Sequence, residues 1–206
     1  MYKSIAGLEC CLRKGLVNIS DIVNMCRNLR APFRAHPLGF ISSTFLSEGA
    51  WNARLHIWPL SDDKVQDRDT QIHDHVFDFT SWVLFGVVQN TELATSEIGD
   101  PFMLYSASYA GSKSILKKTN DVVRLVAKNV TLHPAGSVYS VKAGQLHETR
   151  RIGGSPAVTV LITNTVSSDA PLVIGPINGP GMYEYDRFVV SDADVDAILG
   201  CLEIGS

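Results

Sequence analysis

The stretch Ile72-His73-Asp74-His75-Val76-Phe77-Asp78-Phe79 decides how the rest of this chain is read. Successive side chains of an extended strand point to opposite faces, so His73 and His75 project to the same side. Two imidazoles close together on one face are half of a metal site. Imidazole suits zinc, iron, copper and nickel, and a third ligand from another strand would complete a facial set with open positions. Around the pair, Val76, Phe77, Phe79, Trp82, Val83, Leu84 and Phe85 are β-branched, aromatic or aliphatic, which favours strand over helix. Far along the chain, Gly144-Gln145-Leu146-His147 sets a histidine just after a turn signal. His147 is the natural third ligand.

Working outward, 206 residues with 45% hydrophobic content predict one domain with a proper core. A net charge of −3 and a pI near 6.0 give no electrostatic case for nucleic acid or an anionic membrane surface. Cys10, Cys11, Cys26 and Cys201 lie near the two ends without CxxC spacing, which fits a reduced, cytoplasmic setting rather than a disulfide framework. Neither a signal-peptide core nor an apolar run of membrane-spanning length is expected.

The expected organisation is an N-terminal helical segment (1–37), a β-barrel core (38–166), and a loop with a C-terminal helix (167–206). Ser20 is the expected N-cap of a helix whose apolar stripe is Ile22, Val23, Cys26 and Leu29. His36, in the following Pro-Gly turn, reads as a solvated or backbone-bonded loop residue. Strands are expected over Gly39–Leu46, Ala53–Trp58, Gln71–Phe79, Ser81–Gln89, Met103–Ala110, Val122–Leu132, Ser137–Val141 and Ala157–Thr163. A charged, solvated loop over 61–69 and a polar connection at Asn90 and Thr91 would separate some of them. From 166 onward turn formers dominate, until Ser191-Asp192-Ala193-Asp194 starts a last helix. Many short strands with turns between them argue for an antiparallel sandwich or barrel. Trp51, Trp58 and Trp82 are expected to pack, with Trp58 the one placed to wall a pocket.

His73-Asp74-His75 followed by Gly86 resembles the first cupin motif, a His-x-His pair that precedes a Glu and a Gly. The run Gly136 to His147 resembles the second, with Lys142 where a Pro is usual. The resemblance covers about residues 38 to 165 and implies a mainly β double-stranded β-helix, or jelly roll, with a metal inside. Phe79 stands where cupins commonly place a metal-binding Glu. The implied site is therefore His73, His75 and His147, similar to those of the thiol dioxygenases and diketone-cleaving cupins. Asp78 is the carboxylate alternative, although alternation turns it to the opposite face. Glu148 is also turned away, free to hold a neighbouring Arg. Fe(II) is the ion that resemblance favours, with Zn, Ni and Mn as alternatives. The structural alternative is a pair of partly buried histidines satisfied by hydrogen bonds.

Arg54 has a fork suited to a substrate carboxylate. His56 would share its face as donor or base, and Tyr139 shares the parity of the second motif; these three are the expected catalytic side chains. The alternative for Arg54 and His56 is a solvated outer face. The expected activity is an Fe(II)-dependent oxygenase acting with O2 on a small anionic molecule. A lyase or isomerase with a non-redox metal, and a non-catalytic binding module, are the alternatives. A homodimer is a further expectation, from the resemblance alone.

Overall fold

The computed structural model describes residues 2–61, 66 and 68–202. Two helices open the chain, α1 (Ile5–Arg13) and α2 (Ile19–Asn28). Ser4 caps α1 by accepting from the Gly7 amide. Asn18, not the expected Ser20, caps α2, because its side-chain oxygen reaches the Asp21 amide while its own backbone stays extended. Ile22, Val23, Met25 and Cys26 form the buried stripe. Leu29 is 47% exposed, since the helix ends before it can turn inward.

The strands follow as β1 (Arg34–Ala35), β2 (Ile41–Glu48), β3 (Trp51–Trp58), β4 (Phe77–Phe85), β5 (Val87–Ala110), β6 (Lys113–Pro134), β7 (Val138–Val141), β8 (His147–Ile152), β9 (Ala157–Thr165), β10 (Leu172–Pro176) and β11 (Met182–Asp186). Helix α3 (Asp192–Gly200) comes last, capped by Ser191 as expected. One sheet runs β1-β2-β3-β9-β4-β7; the other runs β10-β5-β6-β11, with β8 also on β5. Every ladder is antiparallel. This is a mainly β jelly roll with helices flanking it at both ends.

The six-stranded sheet has two different faces. Ala53, Leu55 and Ile57 of β3, with Val158, Val160 and Ile162 of β9, pack against Leu8, Ile22 and Val23 of the helices. Each fully buried Leu, Ile or Val side chain there contributes about 1.5–3 kcal/mol. The alternate residues Arg54, His56 and Trp58 face the interior of the sandwich. In the second sheet, β8 pairs with the first half of β5 and β10 with its second half. His73 bridges His147 of β8 and Val173 of β10, so the histidine segment fills the gap between those strands.

Several expected boundaries move. The break assigned to Thr80 falls at Gly86, whose φ is +73° and where a Cβ would stand 2.2 Å from the Pro156 carbonyl oxygen. Only glycine fits, so β4 runs unbroken through Thr80 and the chain turns afterwards. Residues 71–76 are held by the His73 bridge instead of a full ladder. Asn90 and Thr91 lie within β5 rather than in a connection, Asn90 being 3% exposed. The loop-like region beyond 166 carries β10 and β11, so the β core extends past its expected end. Gly175 in β10 lets the Tyr105 ring sit where a Cβ would approach it to 2.7 Å. Trp51 is 46% exposed and does not pack, whereas Trp82 is buried. Of the charged loop expected over 61–69, residues 62–65 and 67 lie outside the described residues. No described helix is long and apolar enough to cross a membrane.

Candidate metal centre

Each ring of the expected triad is oriented by its own neighbour. The His73 Nδ1–H donates to the Gln71 carbonyl at 2.9 Å, which leaves Nε2 with its lone pair free. His147 Nδ1–H donates to Asn90 Oδ1 at 2.8 Å, and Thr149 Oγ1 donates to the same oxygen at 3.1 Å. His75 Nε2 and His147 Nε2 stand 3.0 Å apart. Two nitrogens bound to one ion at about 2.1 Å and at right angles would also be about 3.0 Å apart. The three potential ligand atoms all lie within 4.8 Å of one another. The donors fit a divalent ion.

Burial pushes His73 below the ordinary imidazole range, and pushes His75 and His147 well below it, with the neighbouring imidazoles adding to the shift of the last two. All three are therefore neutral, the form a metal binds. Phe79, at the position of the usual carboxylate, packs its ring 5.5 Å from His75 and 5.6 Å from His147. It walls the site without offering a donor. Asp78 is not brought to the centre. Its carboxylate accepts from Lys142 Nζ at 2.8 Å and the Ala143 amide at 2.9 Å, which hold it below the usual carboxylate range. Glu148 holds Arg150, as expected.

The histidines border a cavity of about 400 Å³ that Arg54, His56, Trp58 and Tyr139 also line. The face of β3 that carries Arg54 and His56 is thus the inner one. The Arg54 guanidinium lies over Phe77, 4.7 Å from the ring centroid, and Phe77 stacks on His75 at 4.5 Å. His56 stacks on Phe40 at 4.4 Å. Burial, reinforced by the Arg54 charge, pushes His56 down to about 3. Such an imidazole is a hydrogen-bonding group and a weak base at neutral pH. Tyr139 stacks on His133 at 4.2 Å, and burial pushes its hydroxyl above the usual phenol range.

Three lining or supporting residues were not anticipated. Asn90 orients His147, and no sequence signal separates it from its polar neighbours Gln89, Thr91 and Glu92. His36 stacks on Phe40 at 4.2 Å with its Nδ1 accepting from the Leu38 amide, so it is backbone-bonded but lines the cavity. Arg187 reaches the cavity from the residue after β11, a region expected to be loop. Among the described residues, no Asp or Glu lines this cavity.

The arrangement is two antiparallel sheets enclosing the two histidine motifs. The fold is a jelly roll, the architecture that the cupin resemblance implies. No protein-family model matches the chain, and no curated protein matches it. Among solved structures, it is similar to hydroxypropylphosphonic acid epoxidase from S. wedmorenis in complex with fosfomycin, at 12% identity and a TM-score of 0.40, covering 66% of this chain and 55% of that one. Another structure of that epoxidase is matched over 50% of its length, so the chain spans about half of that protein. Pumpkin seed globulin is similar at 13% identity and a TM-score of 0.39, over 77% of this chain and 36% of the globulin. A cupin-2 domain from Rhodospirillum rubrum is similar at 9% identity and a TM-score of 0.32, over 83% of this chain and 76% of its own. These likenesses are remote.

Proposed function

We propose that this chain is a metal-dependent cupin enzyme, an Fe(II) oxygenase that acts with O2 on a small anionic molecule. One observation carries the reading. His73, His75 and His147 converge as neutral donors, two of them oriented from behind by Gln71 and Asn90, beside a cavity that also holds Arg54. Three neutral ligands would leave a divalent ion its full charge and several open positions. Such an ion would supply a Lewis-acidic site for substrate and, if it is iron, a redox centre for O2.

The chain's own side chains do the rest. Arg54, steadied on Phe77, presents a fork to an anionic group. His56 of β3 and Tyr139 of β7 offer hydrogen bonds from the lining of the cavity, and neither is charged at neutral pH. Phe40, Phe77 and Phe79 exclude water from the region around the imidazoles. A redox-inactive zinc would fit the same donors and would favour lyase or isomerase chemistry.

The test is metal content of protein purified without added metal, for wild type, His75→Ala and His147→Ala. Near-stoichiometric iron, lost in both variants, is the expected result, and O2 uptake is then measured with small acids. Stoichiometric zinc that both variants lose would move the reading to a lyase or isomerase. Wild type that takes up no metal even on reconstitution would sink the enzyme reading.

A further inference from the structure

Among the described residues, the cavity carries more positive charge than its walls balance. Arg54 enters from β3 and Arg187 from the end of β11, and the Nε of each is buried without a hydrogen-bond partner. Neither guanidinium forms an ion pair among the described residues. Among the described residues, Arg54 lies over Phe77, and Arg187 over Tyr109 at 5.5 Å from the ring centroid. A ring face offsets part of a cation's lost hydration but carries no net charge. Burying a guanidinium without a counter-charge is costly, and a guanidinium does not escape by giving up its proton.

Arg187 is held there by its backbone. The Arg187 amide donates to the Ser112 carbonyl at 2.6 Å, and its own carbonyl accepts from Arg34 Nη1 at 3.1 Å. On either side, the Asp186 amide and carbonyl pair with the Gln66 side chain, and the Phe188 carbonyl accepts from the Ala35 amide. Five hydrogen bonds over three residues fix a segment whose side chain then points into the cavity. That is the construction of a binding group.

We propose that this cavity takes a small acid carrying two negative charges, with Arg54 and Arg187 as its paired counter-charges. The inference rests on the reading of the cavity as a small-molecule site and adds the class of that molecule. A monocarboxylate would leave one buried guanidinium unbalanced, and a metal at the three histidines would only raise the excess. A dicarboxylate or a phosphoryl group would neutralise both. Two guanidinium forks recognise oxyanions of either kind by charge-assisted hydrogen bonds.

The experiment is thermal stabilisation and calorimetric titration by malonate and by inorganic phosphate. Each is compared with acetate at equal ionic strength and mildly alkaline pH, where both probes are dianions. It is run on chelator-treated protein and on metal-loaded protein. The expected result is stabilisation of chelator-treated wild type by at least one dianion and not by acetate. Affinity should fall about tenfold or more in Arg54→Gln and in Arg187→Gln, and remain in the remote Arg13→Gln. Each variant is referred to its own ligand-free melting temperature, and Arg54→Lys and Arg187→Lys supply charge-retaining versions. A preference for malonate assigns two carboxylates, and a preference for phosphate assigns a phosphoryl group. Equal responses to acetate and the dianions, or dianion binding untouched in both glutamine variants, would overturn the proposal. Because the first arm contains no metal, either outcome is separate from the metal-content test above.

Discussion

Asn90 shows how one side chain can govern a site it does not enter. Its Oδ1 accepts from both His147 and Thr149, which holds the imidazole with Nε2 toward His75. Groups that orient a ligating histidine in this way are worth about 10–100-fold in metal affinity. Asn90→Ala is therefore expected to weaken metal binding by that order while leaving the jelly roll folded, as read by metal titration alongside far-UV circular dichroism. An unchanged affinity would mean that His147 is held by packing alone. Phe79 is the complementary case, since its ring stands beside His75 and His147 where a carboxylate would be expected. Phe79→Glu places an acid among neutral imidazoles. In the metal-free protein it is expected to destabilise by about 1–3 kcal/mol, and a divalent ion should recover part of that loss. Paired denaturant melts with and without metal would show whether the recovery occurs.

At the scale of elements, the site depends on where strands stop. Gly86 ends β4 with a positive φ in contact with the Pro156 carbonyl, and so sets the register of β5, which carries Asn90. Gly86→Ala adds both a disfavoured backbone conformation and a steric clash, and should cost more than about 2 kcal/mol in urea unfolding. A cost no larger than that of an exposed strand substitution would show that the turn relaxes freely. The strand character of β3 was legible from its alternating faces, and that of β4 and β9 from runs of aromatic, aliphatic and β-branched residues, although β4 was expected to break at Thr80. Strands β10 and β11 were not legible. They are short, border the turn-forming segment 174–181, and are stabilised by pairing with β5 and β6, distant in sequence.

Across the whole molecule, the interior holds neutral imidazoles beside guanidiniums that no described acid pairs. Burial lowers His36, His56, His73, His75 and His147, so the unfolded chain binds protons that the folded chain refuses. Their contribution to stability is full above the unfolded histidine pKa of about 6.5 and is lost as pH falls below it. One unit below that value a histidine whose folded pKa lies far lower, as that of His56 does, costs about 1.4 kcal/mol. For His56 the loss continues down to about 3. Chelator-treated protein is thus expected to lose several kcal/mol between about pH 7.5 and 5.5, measured by urea midpoints at each pH. A midpoint that does not move over this window would show that these rings are solvated. Metal dissociates in the same direction, so the loaded protein should show a steeper fall.

Local order in the chain was enough to specify the mainly β class, the helices at its ends, the likeness to cupins and the three histidines. Strand alternation and turn residues act over a few positions and are visible without the fold. Alternation also turned Asp78 away from the histidines and put Arg54 and His56 on one face. Which face was the inner one was a tertiary decision, because it depends on the side of the sheet on which α1 and α2 pack. The same holds for Asn90 behind His147 and for Arg187 on the same cavity as Arg54. Each of these joins residues far apart in the chain, and their partnership exists only once the two sheets have closed around the cavity.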